Sequence, residues 1–177
     1  MHRGTDWRRS PGVGRYAWPE RERRFTVLGD VPGLHDPRTI EDRYLDGTRL
    51  RLRHVRVWDQ SVFKLTQKVR TRAEDPAEVA ITNTYLDRAE YDVFAALPAA
   101  VLRKTRSLVT HGHVSFAVDQ FEGPLAGLVL AEVEVEEVDA VIDLPAWIGR
   151  EVTRDDRYSG ASLARSGAAD LAALLGD

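Results

Sequence analysis

The sequence predicts an antiparallel α+β domain or a β-barrel, and three observations carry that expectation. About eight segments alternate with the strand period of two, and most are joined by short turns. Asp46-Gly47 stands between two alternating runs, which is a strong local signal for a hairpin. Helical periodicity is confined to two or three segments.

The elements follow in order. Residues 1–15 (MHRGTDWRRSPGVGR) hold Arg and Gly without periodicity and are expected to form a flexible tail. One domain is then expected over 16–177. RRFTVLG reads as the first strand and is led by the charged run Glu20 to Arg24. TIEDRYL and TRLRLRHVRV read as the two arms of the hairpin, and VFKLTQKVR follows after WDQS. TRAEDPAE reads as a polar loop before the strand VAITNTYL. DRAEYDVFAALP reads as a helix: Asp87 with Glu90 makes a capping box, Pro98 ends it, and Leu86, Val93, Phe94 and Leu97 form its apolar stripe. VLRKTRSLV, the turn THG, HVSFAVDQF and LAGLVLAEVEVEEV complete the strands. SLARSGAADLAALLGD is expected to be helical and to serve packing.

Composition narrows the function. A length of 177 residues favours one domain, and 43% hydrophobic with 30% charged residues suits a core under a heavily charged surface. A net charge of −3 gives no reason to expect nucleic acid or an anionic membrane. The absence of cysteine removes disulfides and thiolate chemistry. The basic N-terminus has no apolar run behind it, and no run is long enough to span a bilayer, so a soluble cytoplasmic protein is expected.

The charges segregate by strand. Residues two apart share a strand face, which gives basic rows at Arg49-Arg51-Arg53, Lys64-Thr66-Lys68-Arg70 and Lys104-Arg106. Acidic rows stand at Glu132-Glu134-Glu136 and at Glu20-Glu22, the latter ending on Arg24. A solvated strand face is the ordinary reading of any one row. Solvated faces tend to mix signs, because like charges side by side repel. Segregated rows suit a polar interior that holds a polyanion and a hard divalent cation. Clustered carboxylates with no counter-ion are expected to repel one another and to show raised pKa values.

In ERERRF the chain resembles the ExExK signature of the CYTH-domain proteins, also called triphosphate tunnel metalloenzymes. DRYLDGTRLRLR, KLTQK, YLDRAEYDVFAALP, LRKTRS, VDQFEGPLAGLVLAEVEVE and LPAWIGREVTRDDRYSGASLA continue the similarity in order over roughly residues 16–164. The resemblance implies an eight-stranded antiparallel β-barrel, the triphosphate tunnel, with helices packed outside. It implies Mg²⁺ or Mn²⁺ as cofactor and a triphosphate-containing small molecule as partner, and dimers are known among such proteins. Glu20, Glu22, Asp119, Glu132 and Glu134 fall on the implied metal ligands, with Glu20, Glu22 and Glu134 also as implied catalytic groups. Arg24, Arg51, Arg53, Lys68, Lys104 and Arg106 fall on the implied phosphate-binding positions. Three departures from the family pattern stand out: Arg24 replaces the signature lysine, Thr82-Asn83-Thr84 replaces an EYE-like segment and its carboxylates, and Ser159-Gly160-Ala161 lacks the lysines common there. An arginine at position 24 can bridge a phosphate and Glu22.

The resemblance implies hydrolysis of inorganic tripolyphosphate. Cyclisation of a nucleoside triphosphate, hydrolysis of an organic triphosphate, and non-catalytic binding of polyphosphate or nucleotide stand as alternatives. His111 and His113 read as a hairpin turn rather than a metal pair, and Trp58 and Trp147 as partly buried structural aromatics.

Overall fold

A computed structural model describes residues 16–72, 75–137 and 139–176, so the expected N-terminal tail lies outside the described residues. The strands are β1 (Trp18–Val27), β2 (His35–Leu45), β3 (Leu50–Val57), β4 (Gln60–Arg72), β5 (Asp75–Leu86), β6 (Ala99–His111), β7 (Val114–Phe121), β8 (Val129–Glu134) and β9 (Ile148–Glu151). Every pairing is antiparallel in the order β5-β4-β3-β2-β6-β7-β8-β1, and β1 pairs back to β5 to close an eight-stranded barrel. Trp18 to Arg21 of β1 pair with β5, while Phe25 and Val27 pair with β9. The short ninth strand escaped the sequence reading because IGRE carries no alternation that separates it from a loop.

The turns follow local chemistry. Gly47 adopts φ +70° in the β2–β3 turn, where a residue without Cβ has little strain. The β3–β4 hairpin turns on two residues, Trp58 and Asp59, since Val57 faces Gln60 in register. Trp58 takes φ +54° and is 94% exposed, which corrects the expectation of a partly buried ring: the tip of a two-residue turn projects past its neighbours. Trp147 is buried edge-on against Phe116, as expected. The anticipated polar loop at 71–78 is largely strand, with β4 reaching Arg72 and β5 beginning at Asp75.

The pleat places polar side chains inside the barrel and apolar ones outside. Phe25, Phe116, Val118, Ala131 and Val133 lie on outward faces and pack under Trp147 and Ile148. On the far side, α1 (Arg88–Ala95) covers β3 and β4, stacking Tyr91 on Phe63 with ring centroids 4.6 Å apart. The capping box stands as read: Glu90 N–H donates to Asp87, and Asp87 N–H donates to Glu90. The predicted stripe does not. Val93 and Leu97 are exposed and Tyr91 is the buried residue, because a two-turn helix on a curved sheet needs one anchor rather than a full stripe.

Two short helices, α2 (Gly160–Leu163) and α3 (Ala168–Gly176), replace the single C-terminal helix suggested by composition. Tyr158, Leu163 and Leu174 pack on Leu102, Phe121 and Leu130, inward-facing residues of β6, β7 and β8. Inward-facing leucines cannot stay wet, and this segment covers them. Gly160 lies against Tyr44: a Cβ built there would stand 2.0 Å from the Tyr44 hydroxyl.

That contact is testable. Gly160→Ala is expected to destabilise the fold by about 1–3 kcal/mol, as overpacking does in a filled interior. Tyr44→Phe in the same chain should recover part of the loss. Urea denaturation of the three variants measures this, and an unchanged midpoint in Gly160→Ala would refute the close packing.

Candidate active site

A cavity of about 390 Å³ opens into the barrel. Glu20, Glu22 and Arg24 of β1, Arg51 and Arg53 of β3, Lys68 of β4, Lys104 and Arg106 of β6 and Glu132 of β8 all line it. Alternation along these strands puts the rows on one face, and closure of the sheet turns that face inward. Two of the residues singled out in the sequence lie elsewhere. Asp119 is 1% exposed and sits behind Lys104 and Arg106 rather than on the cavity wall. Glu134 faces Glu22 in register, but it ends β8, is exposed, and lies outside the lining. Glu136 falls beyond the strand.

The inward groups form one continuous ionic network. Lys104 Nζ donates to Asp119 at 2.6 Å, and Arg106 forks onto both oxygens of the same carboxylate at 2.6 Å each. Arg106 also bonds Glu132. Arg24 spends its whole guanidinium: Nε donates to Glu132 at 2.8 Å, Nη2 to Glu22 at 3.0 Å and Nη1 to the Tyr158 carbonyl at 3.0 Å. The bridging role open to an arginine at this position is therefore realised between two carboxylates. Lys68 bonds Glu20 and lies 3.7 Å from Glu22. On the opposite wall Arg53 forks onto Asp42 at 2.6 and 2.7 Å. Arg51 reaches Thr66 at 3.3 Å, and Thr66 donates to Asn83 at 2.7 Å. Asn83 thus buttresses a cation through Thr66.

At Glu132 the expected upward pKa shift is reversed. Burial opposes the charge on Glu132, but Arg24, Arg106, Lys104 and Lys68 outweigh it and hold its pKa well below the usual range. Burial likewise opposes the charge on Asp42, and Arg53 with Arg51 pulls its pKa down. The cations respond in kind. Desolvation works against Arg24 and Arg53, yet Glu132 and Glu22 for the first and Asp42 for the second keep their pKa values raised. Burial lowers the pKa of Lys104, which Asp119 only partly offsets. Burial, with Asp42 beside it, pushes the Tyr44 phenol up to about 12. The sequence argument treated the carboxylates as neighbours of one another, whereas pleat and register place Glu132 beside Arg24 and Arg106, and Glu20 beside Lys68.

Several contributors were not assigned from sequence. Asp42 holds Arg53, and Tyr44, Arg49, Arg70 and Arg165 line the cavity. Arg49 and Arg70 sit on the basic rows and were legible as such. Asp42 was legible only by period, two residues before Tyr44 on the inner face of β2. Arg165 lies past the barrel, where strand alternation gives no signal. His111 and His113 flank the β6–β7 turn, as expected.

A CYTH domain model matches residues 19–167, and the chain belongs to that family. An inorganic triphosphatase of Acetivibrio thermocellus is 34% identical over 96 residues, covering 48% of this chain and 62% of that protein. One of Nitrosomonas europaea is 45% identical over 53 residues, covering 29% and 35%. The aligned segments thus span less than two thirds of these relatives. A solved inorganic triphosphatase structure, 28% identical, superposes with a TM-score of 0.58 over 83% of this chain and 95% of its own. A protein of Pyrococcus horikoshii at 18% identity and TM-score 0.52, covering 68% and 80%, shares the fold.

Depressed carboxylates give stability that is present above their unfolded pKa values, near 4, and is lost as pH falls below them. Unfolding free energy is expected to be flat from neutral pH to about pH 5 and to fall steeply below it. Asp42→Asn leaves Arg53 and Arg51 without a buried counter-charge and should cost about 3–5 kcal/mol at pH 7. It should also make the acid slope shallower. Denaturant titrations across pH check both; an equal slope in the variant would remove Asp42 from the acid transition.

Proposed function

We propose that the protein hydrolyses inorganic tripolyphosphate held in this cavity with a divalent cation. The observation that carries the reading is the lining itself. Guanidinium and ammonium groups converge from four strands on one cavity, the surroundings that oxygens of a linked phosphate chain require. The aromatic residues of the lining offer no face for a base or a thiamine ring: Tyr158 is 0% and Phe121 6% exposed, and Tyr44 stands against Gly160. That favours an inorganic substrate over a nucleotide among the described residues. The inorganic triphosphatases to which the chain is similar support the same substrate class.

The fit of Mg²⁺ or Mn²⁺ differs among the five acids. Glu132 and Asp119 are saturated by Arg24, Arg106 and Lys104, and their lone pairs are directed at cations. Glu20, Glu22 and Glu134 suit a hard cation by donor type, and Glu22 and Glu134 stand opposite one another in register. No three acids or imidazoles converge as they stand among the described residues, so an ion would compete with Lys68 and Arg24 for Glu20 and Glu22. When bound, the ion would neutralise phosphate charge and polarise the terminal phosphoryl group.

The protein's own groups supply the rest. Arg51, Arg53 and Arg106 would hold the phosphate chain extended, and the buried Arg51 Nε, which makes no hydrogen bond and lies 3.6 Å from Asp42, is a donor available to it. Arg24 and Lys68 would fix Glu22 and Glu20, whose free oxygens orient a water toward the terminal phosphorus. Water oxygen bonds to phosphorus, the bridging P–O bond breaks, its electron pair leaves on pyrophosphate, and the water proton passes to a carboxylate. Such catalysis is positioning and charge neutralisation without a covalent intermediate.

Phosphate release from tripolyphosphate, ATP, thiamine triphosphate and long polyphosphate, with Mg²⁺, Mn²⁺ or EDTA, tests the reading. Release from inorganic chains that EDTA abolishes is expected; cyclic nucleotide or binding without turnover would overturn it. Divalent cation should also raise the melting temperature by linkage, and Glu22→Gln should remove that rise together with turnover. Activity near wild type in both Glu22→Gln and Glu134→Gln would take these carboxylates out of the mechanism.

A further inference from the structure

The basic row of β3 does not end inside the barrel. Arg53 and Arg51 have side chains 12% and 13% exposed, and Arg49, two positions before Arg51 in the β2–β3 turn, is exposed and lines the same cavity. The row spans about 13 Å of strand. Arg53 is tied to Asp42, whereas Arg49 has no ion pair among the described residues. A second guanidinium reaches the same mouth from a different element. Arg165 is anchored by Nη1 on the Ala161 carbonyl at 2.9 Å, and its nearest acid is the exposed Asp46 at 3.5 Å. Asp46 belongs to the β2–β3 turn that also carries Thr48 and Arg49, so the turn and the end of α2 form one rim.

We propose that Arg49 and Arg165 form an outer phosphate subsite, so that the cavity prefers linear polyphosphates longer than tripolyphosphate. This rests on the tripolyphosphate reading above and extends it. A linear row of guanidinium groups matches a linear polyanion, because each further phosphate adds charge along the same axis. The inner members of the row serve the reacting end. Both members of the outer pair are exposed, and the acid nearest Arg165, Asp46, lies 3.5 Å away and is itself exposed. Rim cations act through solvent, so the preference is modest and depends on salt.

The test compares apparent affinities, as KM from initial rates of phosphate release, for tripolyphosphate and tetrapolyphosphate at fixed Mg²⁺. The wild-type chain should bind tetrapolyphosphate more tightly by about fivefold, the scale of an exposed charge contact, and the gap should shrink as NaCl is raised. Arg49→Ala/Arg165→Ala should bring the ratio close to one. Arg103→Ala, which removes the same charge from the outer face beside Glu41, should leave the ratio unchanged. A wild-type preference for tripolyphosphate, a ratio that survives the double substitution, or an equal loss in Arg103→Ala would each overturn the subsite. A low KM for tripolyphosphate with any of those results leaves the triphosphatase reading standing, whereas turnover of neither chain removes both.

Discussion

Six cations cannot share the inside of a small barrel unless carboxylates stand between them. Arg24, Arg51, Arg53, Lys68, Lys104 and Arg106 all point inward. Asp42, Asp119 and Glu132 interleave with them and are themselves nearly shut off from water. Each ion alone would be strongly disfavoured in such surroundings, and the network is tolerable only as a whole. Register makes that possible: Asp42 faces Arg53, Asp119 faces Arg106 and Glu132 faces Arg24 across adjacent strands. A one-residue slip in any of these pairs would turn a whole row outward.

The polar interior in turn forces the distribution of apolar surface. A barrel that fills its lumen with charge has no core there, so its hydrophobic burial has to come from outside or from its ends. Phe25, Phe116, Val118 and Val133 are covered by the segment bearing Trp147 and by β9. The inward-facing leucines are covered by the C-terminal helices. The single helix between strands closes the remaining outer wall through Tyr91 and Phe63. Each cover is a short element, and each lies where the outward or terminal apolar face would otherwise be wet.

This division explains what the sequence disclosed and what it withheld. Strand alternation is a local property, so Arg51 and Arg53, Lys104 and Arg106, and Glu20 and Glu22 could be placed on common faces before any pairing was known. Asp-Gly and the Asp87–Glu90 box are equally local and appear as read. Partnership across strands is not local. Nothing near Glu132 in the chain reveals that Arg24 and Arg106 stand beside it, so its carboxylate seemed repelled when it is in fact held charged. Arg165 and the cover over Leu102 and Phe121 depend on where the chain returns after the barrel closes, which period and propensity do not encode. Glu134 shows the converse limit: alternation put it on the inner face, but its position at the last residue of β8 leaves it at the rim.

A site whose cations are already paired binds anions by exchange rather than by filling open donors. A phosphate group entering between Arg106 and Glu132, or between Lys68 and Glu20, must replace a carboxylate that is well placed and partly dry. A single phosphate gains little from such an exchange, because it loses its hydration and leaves a carboxylate uncompensated. A linked chain of phosphates meets several cations at once, and a divalent cation can take up the carboxylates it displaces. The ionic network thus sets a threshold of charge that a ligand must exceed. The same carboxylates that let the barrel fold also weigh against a lone phosphate.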